Sequence, residues 1–407
     1  MAVQGVAVED IVYRDDLYPR IEVDHSLIEI YQQDIERLPA IMINQNNILI
    51  DGRHRWLAHK RAGANTIPAD IIETESEAHL EILAYKYNSA HGKQLSTEEK
   101  RIFAVKRCDI ISTAKIASIL SVSERTVRYW TQAKRKDLEE HRNKLIISEY
   151  LRAWNTQEAI AEKFELTQKT VSNIIDNFRK NGNLAESTKN FNPYLYSIWS
   201  LKNGDDKSHF GAFPAAYMEN LIYYHTEPLE IVYDPFAGSG TTVKVCKAWH
   251  RRYYCSDRVV KQGLEDDIKQ WDIADGLPED LPLPDFVFLD PPYWIQAGNK
   301  YSKDKECLGN MSLEDFYSTF ELFLKELIGR KAKRISIVIA PTQYRNNMVY
   351  EDHIFRFAKL LDGKYKIEMR RILPYSTQQC TPQMVIRAKE KRVDLVIHRD
   401  LVVWRRV

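Results

Sequence analysis

The rhythm of apolar and polar positions changes twice along this chain. From Leu17 to Ala90, short strand-like and helix-like patterns alternate. In AIMINQNNILI two apolar runs flank Asn44-Gln45-Asn46-Asn47. Asparagine tolerates the left-handed conformation that tight turns require, so this stretch predicts a β-hairpin. Asp51-Gly52 then turns the chain into a helix, DGRHRWLAHKRAG, ending at Gly63. From Ser112 to Arg179 the pattern becomes helical and repeats itself, and after Asn190 short apolar runs alternate with helical stretches, the mark of a parallel α/β sheet. Leu229 to Tyr233, Arg252 to Cys255, Phe286 to Leu289 and Ile335 to Pro341 are the predicted strands. The expected organisation is multidomain α/β: an α+β segment over 1–100, an all-helical segment over 101–189 and an α/β segment over 190–407.

The repeat has an offset of 44 residues, pairing Ile116 with Ile160, Ala117 with Ala161, Val122 with Leu166, Ser123 with Thr167, Thr126 with Thr170 and Val127 with Val171. Each copy predicts a helix-turn-helix unit, with Ser123 or Thr167 capping the second helix through its hydroxyl. That second helix carries Arg125 and Arg128 in the first copy and Lys169 and Asn173 in the second. Arg and Lys neutralise phosphates while Arg and Asn read base edges, so these four are candidate DNA-binding residues. The alternative is a helical spacer that touches no DNA.

Composition narrows the choice. A chain of 407 residues with 44% hydrophobic and 28% charged positions is globular, and a net charge of +1 means that any polyanion must meet basic residues concentrated locally. The tail from Lys364 is such a region, with eleven Lys or Arg against four Asp or Glu. Five scattered cysteines without a C-x-x-C pair argue against a zinc site or a disulfide framework and suit a reducing cytoplasm. Glu9 and Asp10 stand where a signal peptide needs apolar residues, and no run approaches the ~18 apolar residues of a membrane span. A cytoplasmic protein with no metal and no membrane partner is expected, of unassigned oligomeric state.

Three strand ends carry the chemistry. The strand ending at Tyr233 runs into DPFAGSGTT, Asp234 to Thr242, ahead of a helix, the arrangement that exposes backbone N–H groups to a ligand. Gly238 and Gly240 alone also suit a tight structural turn. The next strand ends at Asp257, where a carboxylate can accept from both hydroxyls of a ribose. With Thr241 and Thr242 as hydroxyl donors and no full G-x-G-x-x-G, a carboxylate-bearing adenosine fits better than a dinucleotide. The third strand delivers Asp290-Pro291-Pro292-Tyr293. Asp290 and the Pro291 carbonyl can accept two hydrogen bonds from one exocyclic amine, the two prolines fix the backbone, and Tyr293 offers a stacking face. Two acceptors orient the amine lone pair and stabilise the positive charge that develops on nitrogen. A proline turn of purely structural use is the alternative. At the front of the chain, Arg53, His54 and Arg55 open a helix where cations oppose its dipole unless an anion is near, so an anion site and a solvated basic face are both open.

Two family resemblances follow from these motifs. LYPRIEVD, LPAI, DGRHRWLAHKRAG and NSAHGKQLS resemble the ParB and sulfiredoxin superfamily domain over about residues 11–100. That resemblance implies an α+β fold in which Gly52, Arg53, His54 and Arg55 bind the phosphates of a nucleoside triphosphate such as CTP. DPFAGSGTT, DPPY and HFGAFPAAYMENLIYY (His209 to Tyr224) resemble the amino-methyltransferases of DNA over about residues 190–407. This implies a Rossmann-like fold dependent on S-adenosylmethionine. Phe213, Asp234, Phe236, Gly238, Ser239, Gly240 and Thr242 would line that cofactor, Asp257 would hold its ribose, and Asp272, with Asp275 as rival, would meet its adenine amine. The implied function is site-specific methylation of a flipped base, adenine N6 ahead of cytosine N4 because the motif is DPPY rather than SPPY. An RNA amine methyltransferase and a nucleotide-gated DNA-binding protein with an inactive methyltransferase half are the alternatives. Tyr344 is a candidate to line the target pocket.

Overall fold

The computed structural model describes residues 3–90, 95–182, 184, 189–200, 213–294, 307–343, 350–374 and 380–407. Tyr344 and His209 to Ala212 of the quoted motif lie outside these. The contacts divide the chain into two compact units, Met1–Arg142 and Asn143–Val407.

The first unit holds a four-stranded sheet in the order β1 (Gln4–Ala7), β4 (Thr66–Ile72), β2 (Ile41–Asn44) and β3 (Leu49–Asp51). The strands β2 and β3 form the hairpin that the asparagine run predicts. Asn47 takes φ 58°, and the Asn44 side chain accepts from the backbone N–H groups of Asn46 and Ile48. Helices α1 (His25–Gln32) and α2 (Arg53–Ala62) follow in this region, and Trp56 of α2 packs with Ile41, Ile43, Ile67 and Val8. Beyond α3 (Glu77–Ala90) and α4 (Thr97–Arg107) comes the first repeat copy, α5 (Thr113–Leu120) followed by the long α6 (Glu124–Leu151).

The two repeat copies fold alike. In the second, α7 (Gln157–Lys163) leads to α8 (Gln168–Asn181). Ser112 and Thr156 cap the first helices; Ser121 and Glu165 both take left-handed backbone; Ser123 and Thr167 cap the second helices, accepting from the N–H of Thr126 and Thr170. All three pairs keep the 44-residue offset. Yet the copies fall in different units, so the expected boundaries at 100 and 189 are not where the contacts divide. Ile116, Leu120 and Val127 share a core with Tyr85 and Phe103 from before residue 104, whereas Ile160, Val171 and Ile175 pack on Ile146, Ile147 and Tyr150 from the far half of α6. A core cannot be cut where apolar side chains interlock, and the division falls inside α6 instead.

The second unit continues with α9 (Ala215–His225), β5 (Ile231–Asp234), α10 (Thr241–Ala248), β6 (Arg252–Asp257), β7 (Lys269–Gln270), β8 (Phe286–Leu289), α11 (Leu313–Gly329) and β9 (Arg334–Ile339). A short pair, β10 (Thr342–Gln343) and β11 (Tyr350–Glu351), precedes α12 (His353–Leu361), β12 (Tyr365–Pro374), α13 (Pro382–Lys391) and β13 (His398–Arg406). Seven strands form one sheet in the order β12-β13-β9-β8-β5-β6-β7. The run from β9 to β7 is parallel, and β13 lies antiparallel between β9 and β12. Side chains alternate between two apolar layers, as the two-residue period of a strand demands. Tyr233, Val287, Leu289, Ile335 and Ile337 face Phe316, Phe320 and Phe323 of α11, while Val232, Phe286, Phe288 and Val338 face Met218 and Leu221 of α9 and Val243 and Cys246 of α10. Strands buried on both faces read as the unbroken apolar runs from which they were predicted. From β5 the chain proceeds to β6 and β7 on one side and then crosses to β8 and β9 on the other. The crevice at the carboxyl ends of β5 and β8 is therefore the switch point where ligands of open α/β sheets bind.

Candidate active site

The loop leaving β5 is shaped by Asp234. Its side chain is buried; one carboxylate oxygen accepts from the Phe236 N–H at 2.9 Å and the other from the Thr242 hydroxyl. Thr242 is thus turned into the loop and is not the outward hydroxyl donor that the sequence predicts. Asp234 and Thr242 instead fasten the start of α10 to the end of β5, because a buried carboxylate must be satisfied from within. Burial pushes the Asp234 carboxyl up to about 7, reinforced by the nearby carboxylates of Asp290 and Asp257.

Between these anchors Gly238 (φ 50°) and Gly240 (φ 79°) take the left-handed conformation, and Gly240 caps α10. Among the described residues, a Cβ added at Gly238 would meet only the Phe236 carbonyl oxygen, at 3.8 Å, so the space before this backbone is open. The Gly238 N–H donates to Asp257 at 2.8 Å, and the Val259 N–H donates to the other oxygen of that carboxylate at 3.1 Å. An ionised carboxylate has about four acceptor positions, so Asp257 keeps acceptor capacity beyond these backbone donors. That is what two vicinal hydroxyls need, so Asp257 suits a ribose. Burial raises its carboxyl above the ordinary range, opposed by the N–H groups of Val259 and Gly238.

Asp272 follows β7 after Trp271, whose N–H donates to the Asp257 carbonyl at 3.0 Å. Its carboxylate caps a 3-10 turn through the Ala274 N–H and pairs with Arg258 at 3.1 Å. Asp275 lies exposed in the same turn. Of the two rivals, Asp272 is the one fixed beside Asp257. Ser239 and Phe236 are half-buried, and the Phe236 ring stacks 6.3 Å from Phe320.

At the neighbouring strand end, Asp290 leaves β8 with Pro291, Pro292 and Tyr293 behind it. The Tyr293 hydroxyl donates to Asp290 at 3.1 Å. Burial raises the Asp290 carboxyl to about 6, opposed first by the positive charge of Arg399 and then by the Tyr293 hydrogen bond. Phe213 packs 4.9 Å from Phe288 of β8 and beneath Arg399. The structure therefore gathers Phe213, Asp234, Gly238, Asp257 and Asp290 about the carboxyl ends of β5, β6 and β8.

Two features here escape the sequence. Arg399 of β13 reaches the Tyr293 hydroxyl at 3.3 Å across 106 positions. A buried polar chain also braces the segment after Tyr293: Tyr317 donates to Glu351 at 2.6 Å and meets His353 Nδ1 at 2.7 Å, and His353 Nε2 meets the Thr342 hydroxyl at 2.9 Å. The Thr342 oxygen also lies 3.5 Å from the Trp294 carbonyl. Burial lowers His353 to about 4, so its ring is neutral at pH 7. Neither feature has a local motif, since every partner comes from a different element.

In the first unit the basic turn is satisfied internally. Arg55 pairs with Asp51 at 2.7 Å and donates to the carbonyls of Pro39 and Ala40. Arg53 donates to the Arg20 carbonyl at 3.1 Å and lies 4.4 Å above the Tyr13 ring. His54 is buried and accepts from the Asp24 N–H at 3.0 Å. The anion that cations at a helix start require is supplied by Asp51 within the chain, and a nucleotide phosphate would have to compete with it. Gly52 (φ 102°) is forced, because a Cβ would stand 2.7 Å from Ile41. On the repeat helices, Arg125, Arg128, Lys169 and Asn173 are all exposed, with Arg128 paired to Glu124 at 2.7 Å.

A family model of DNA methylases, of the N6-adenine and N4-cytosine type, matches residues 64–260, a stretch that holds Asp234 to Thr242 and Asp257 and ends before Asp290. Among curated proteins, the Type II methyltransferase M.BglII of Bacillus subtilis is 34% identical over 80 residues, 18% of this chain and 22% of that protein. The orphan methyltransferase M.BamHII of Bacillus amyloliquefaciens is 36% identical over 66 residues, 14% of this chain and 25% of that protein. The chain thus spans at most a quarter of the length of these relatives. Among solved structures, the chromosome-partitioning protein ParB of Caulobacter crescentus, complexed to the centromeric parS site, aligns at 18% identity and a TM-score of 0.26 over 31% of this chain and 70% of that one. Among the described residues no helix is long and apolar enough to cross a membrane.

Proposed function

We propose that this protein methylates an exocyclic amine of DNA, adenine N6, using S-adenosylmethionine. The observation that carries the reading is the placement of Asp257 and Asp290 at the ends of β6 and β8, the two strands that flank β5, on either side of the open backbone of Gly238. Asp257 and the Gly238 loop hold the ribose of the cofactor, with Asp272 toward its adenine and Phe213 toward its methionine end. When bound, S-adenosylmethionine supplies an electrophilic methyl group on a positively charged sulfur. The target base leaves the duplex stack and lies against Tyr293, and its amine donates to Asp290 and to the Pro291 carbonyl. These acceptors turn the nitrogen lone pair toward the methyl carbon. As the N–C bond forms, the C–S pair returns to sulfur, and the nitrogen, positively charged once methylated, loses one proton to water. The test is transfer of a tritiated methyl group to plasmid DNA with RNA of the same sequence as competitor. Label in DNA alone supports the reading, and label in RNA alone assigns the site to RNA.

In this reading the repeat helices hold the duplex, supported by the exposure of Arg125, Arg128, Lys169 and Asn173 beside capped turns. Replacing Arg125 and Arg128 by Ala is expected to weaken DNA binding and to flatten its salt dependence by about one unit of slope for each phosphate no longer neutralised. Fluorescence anisotropy across a salt series checks this; an unchanged slope assigns recognition elsewhere, with the basic tail from Lys364 first in line.

A further inference from the structure

The acceptor carboxylate has a cationic neighbour that no local motif announces. Because β13 runs antiparallel to β9, its first residues stand at the edge of the sheet where the parallel strands end. Asp400 lies opposite Ile339, and Leu289 opposite Ile337, so the start of β13 is level with the residues that follow Leu289. Asp400 is buried and bonded to Arg370 across to β12, which pins this strand end. Arg399, next to it, puts one guanidinium nitrogen 3.3 Å from the Tyr293 hydroxyl and its guanidinium carbon 5.7 Å from the centre of the Phe213 ring. Tyr293 passes its own hydrogen on to Asp290 at 3.1 Å.

We propose that Arg399 is a positioning residue of the acceptor site, holding the Tyr293 hydroxyl and the Asp290 carboxylate in one charged array on which the amine is presented. The inference rests on the amine-methyltransferase reading of that site. Its physical basis is that a carboxylate shut away from water needs a positive partner to stay ionised, and only the ionised form offers both oxygens as acceptors. Among the described residues, three groups act on Asp290: Arg399 from β13, Tyr293 from its own loop, and Asp234 from β5, whose like charge opposes ionisation. Loss of Arg399 leaves the carboxylate with a repelling neighbour and one neutral hydrogen bond. Its protonation midpoint then rises, and the acid limb of the pH–rate profile moves to higher pH.

The experiment compares wild type, Arg399→Met and Arg399→Lys in the full chain. Single-turnover methylation of DNA from pH 6 to 9 is expected to show the Arg399→Met limb about one pH unit higher, so that activity falls about fivefold at pH 6 and about twofold at pH 7 and recovers toward pH 9. Arg399→Lys, which keeps the charge, is expected to retain the wild-type limb. A second readout needs no turnover: the protein is labelled with carboxyl-13C aspartate, Asp290 is assigned by Asp290→Asn, and its titration is followed by NMR. The midpoint is expected to rise in Arg399→Met and not in Arg399→Lys. An unmoved midpoint, or an equal loss of rate at every pH, overturns the role of Arg399. A wild-type protein that methylates no amine overturns the function reading, a result distinct from an active wild type whose Arg399→Met limb has not moved.

Discussion

Asp290→Ala is expected to lower methyl transfer by ~10²-fold or more while leaving the affinity for S-adenosylmethionine nearly unchanged. The magnitude is that of deleting one preorganised electrostatic partner from a site shielded from water. An exocyclic amine is a weak nucleophile because its lone pair is delocalised into the ring, and the two acceptors at this strand end pull it out of that delocalisation. Truncation removes one acceptor and also releases the Tyr293 hydroxyl from its partner. Asp234 and Asp257, at the ends of β5 and β6, keep their own bonds, so the loss belongs in the chemical step. Single-turnover rates separate this from product release, and calorimetric titration with S-adenosylhomocysteine checks the affinity. A variant that methylates at near-normal rate removes Asp290 from the mechanism.

The second large effect is expected from Gly238→Leu, which should abolish measurable S-adenosylhomocysteine binding with the fold retained. A non-glycine residue at φ 50° costs about 1–2 kcal/mol of backbone strain. The larger cost lies in the space the side chain fills. Since a Cβ meets no atom of the described residues nearer than 3.8 Å, the leucine projects into the opening that the adenosine needs. Asp257→Ala should act on the same pocket by a different route. It removes the acceptor for two ribose hydroxyls and also frees the N–H groups of Gly238 and Val259. Hydrogen bonds to a charged group are worth about 1.5–3 kcal/mol, so affinity is expected to fall by roughly ten- to a hundredfold. Unchanged affinity in both variants, with normal circular dichroism, would place the cofactor elsewhere.

What could be read from the sequence was whatever is local. Asp234, Gly238, Gly240 and Asp257 each sit where a buried apolar run stops, and a run of that kind has nowhere to go but a strand in a covered sheet. The paired caps at Ser123 and Thr167 were legible for the same reason, since a cap bonds three residues ahead. What escaped was decided by distant partners. Thr242 looks outward in a motif and turns inward in the fold, where its hydroxyl satisfies the second oxygen of the buried Asp234. Arg53 and Arg55 look like a vacant anion site until Asp51, Arg20 and Pro39 are seen around them. Arg399 belongs to an antiparallel strand whose place between β9 and β12 no periodicity can announce. The domain boundaries moved because α6 carries apolar positions for two different cores, and a continuous helix gives no composition change at its middle.

If this chain puts a methyl group on an exocyclic amine of DNA, the nucleoside product reports it directly. Purified wild-type protein is incubated with S-adenosylmethionine and unmethylated plasmid, the DNA is digested, and the nucleosides are resolved by mass spectrometry beside an Asp290→Ala control. N6-methyladenine is expected in the wild-type digest, with its near absence in the control. N4-methylcytosine in its place would keep the amine chemistry and correct the base, whereas methylation at a ring carbon, or equal product from Asp290→Ala, would refute amine methylation at this site.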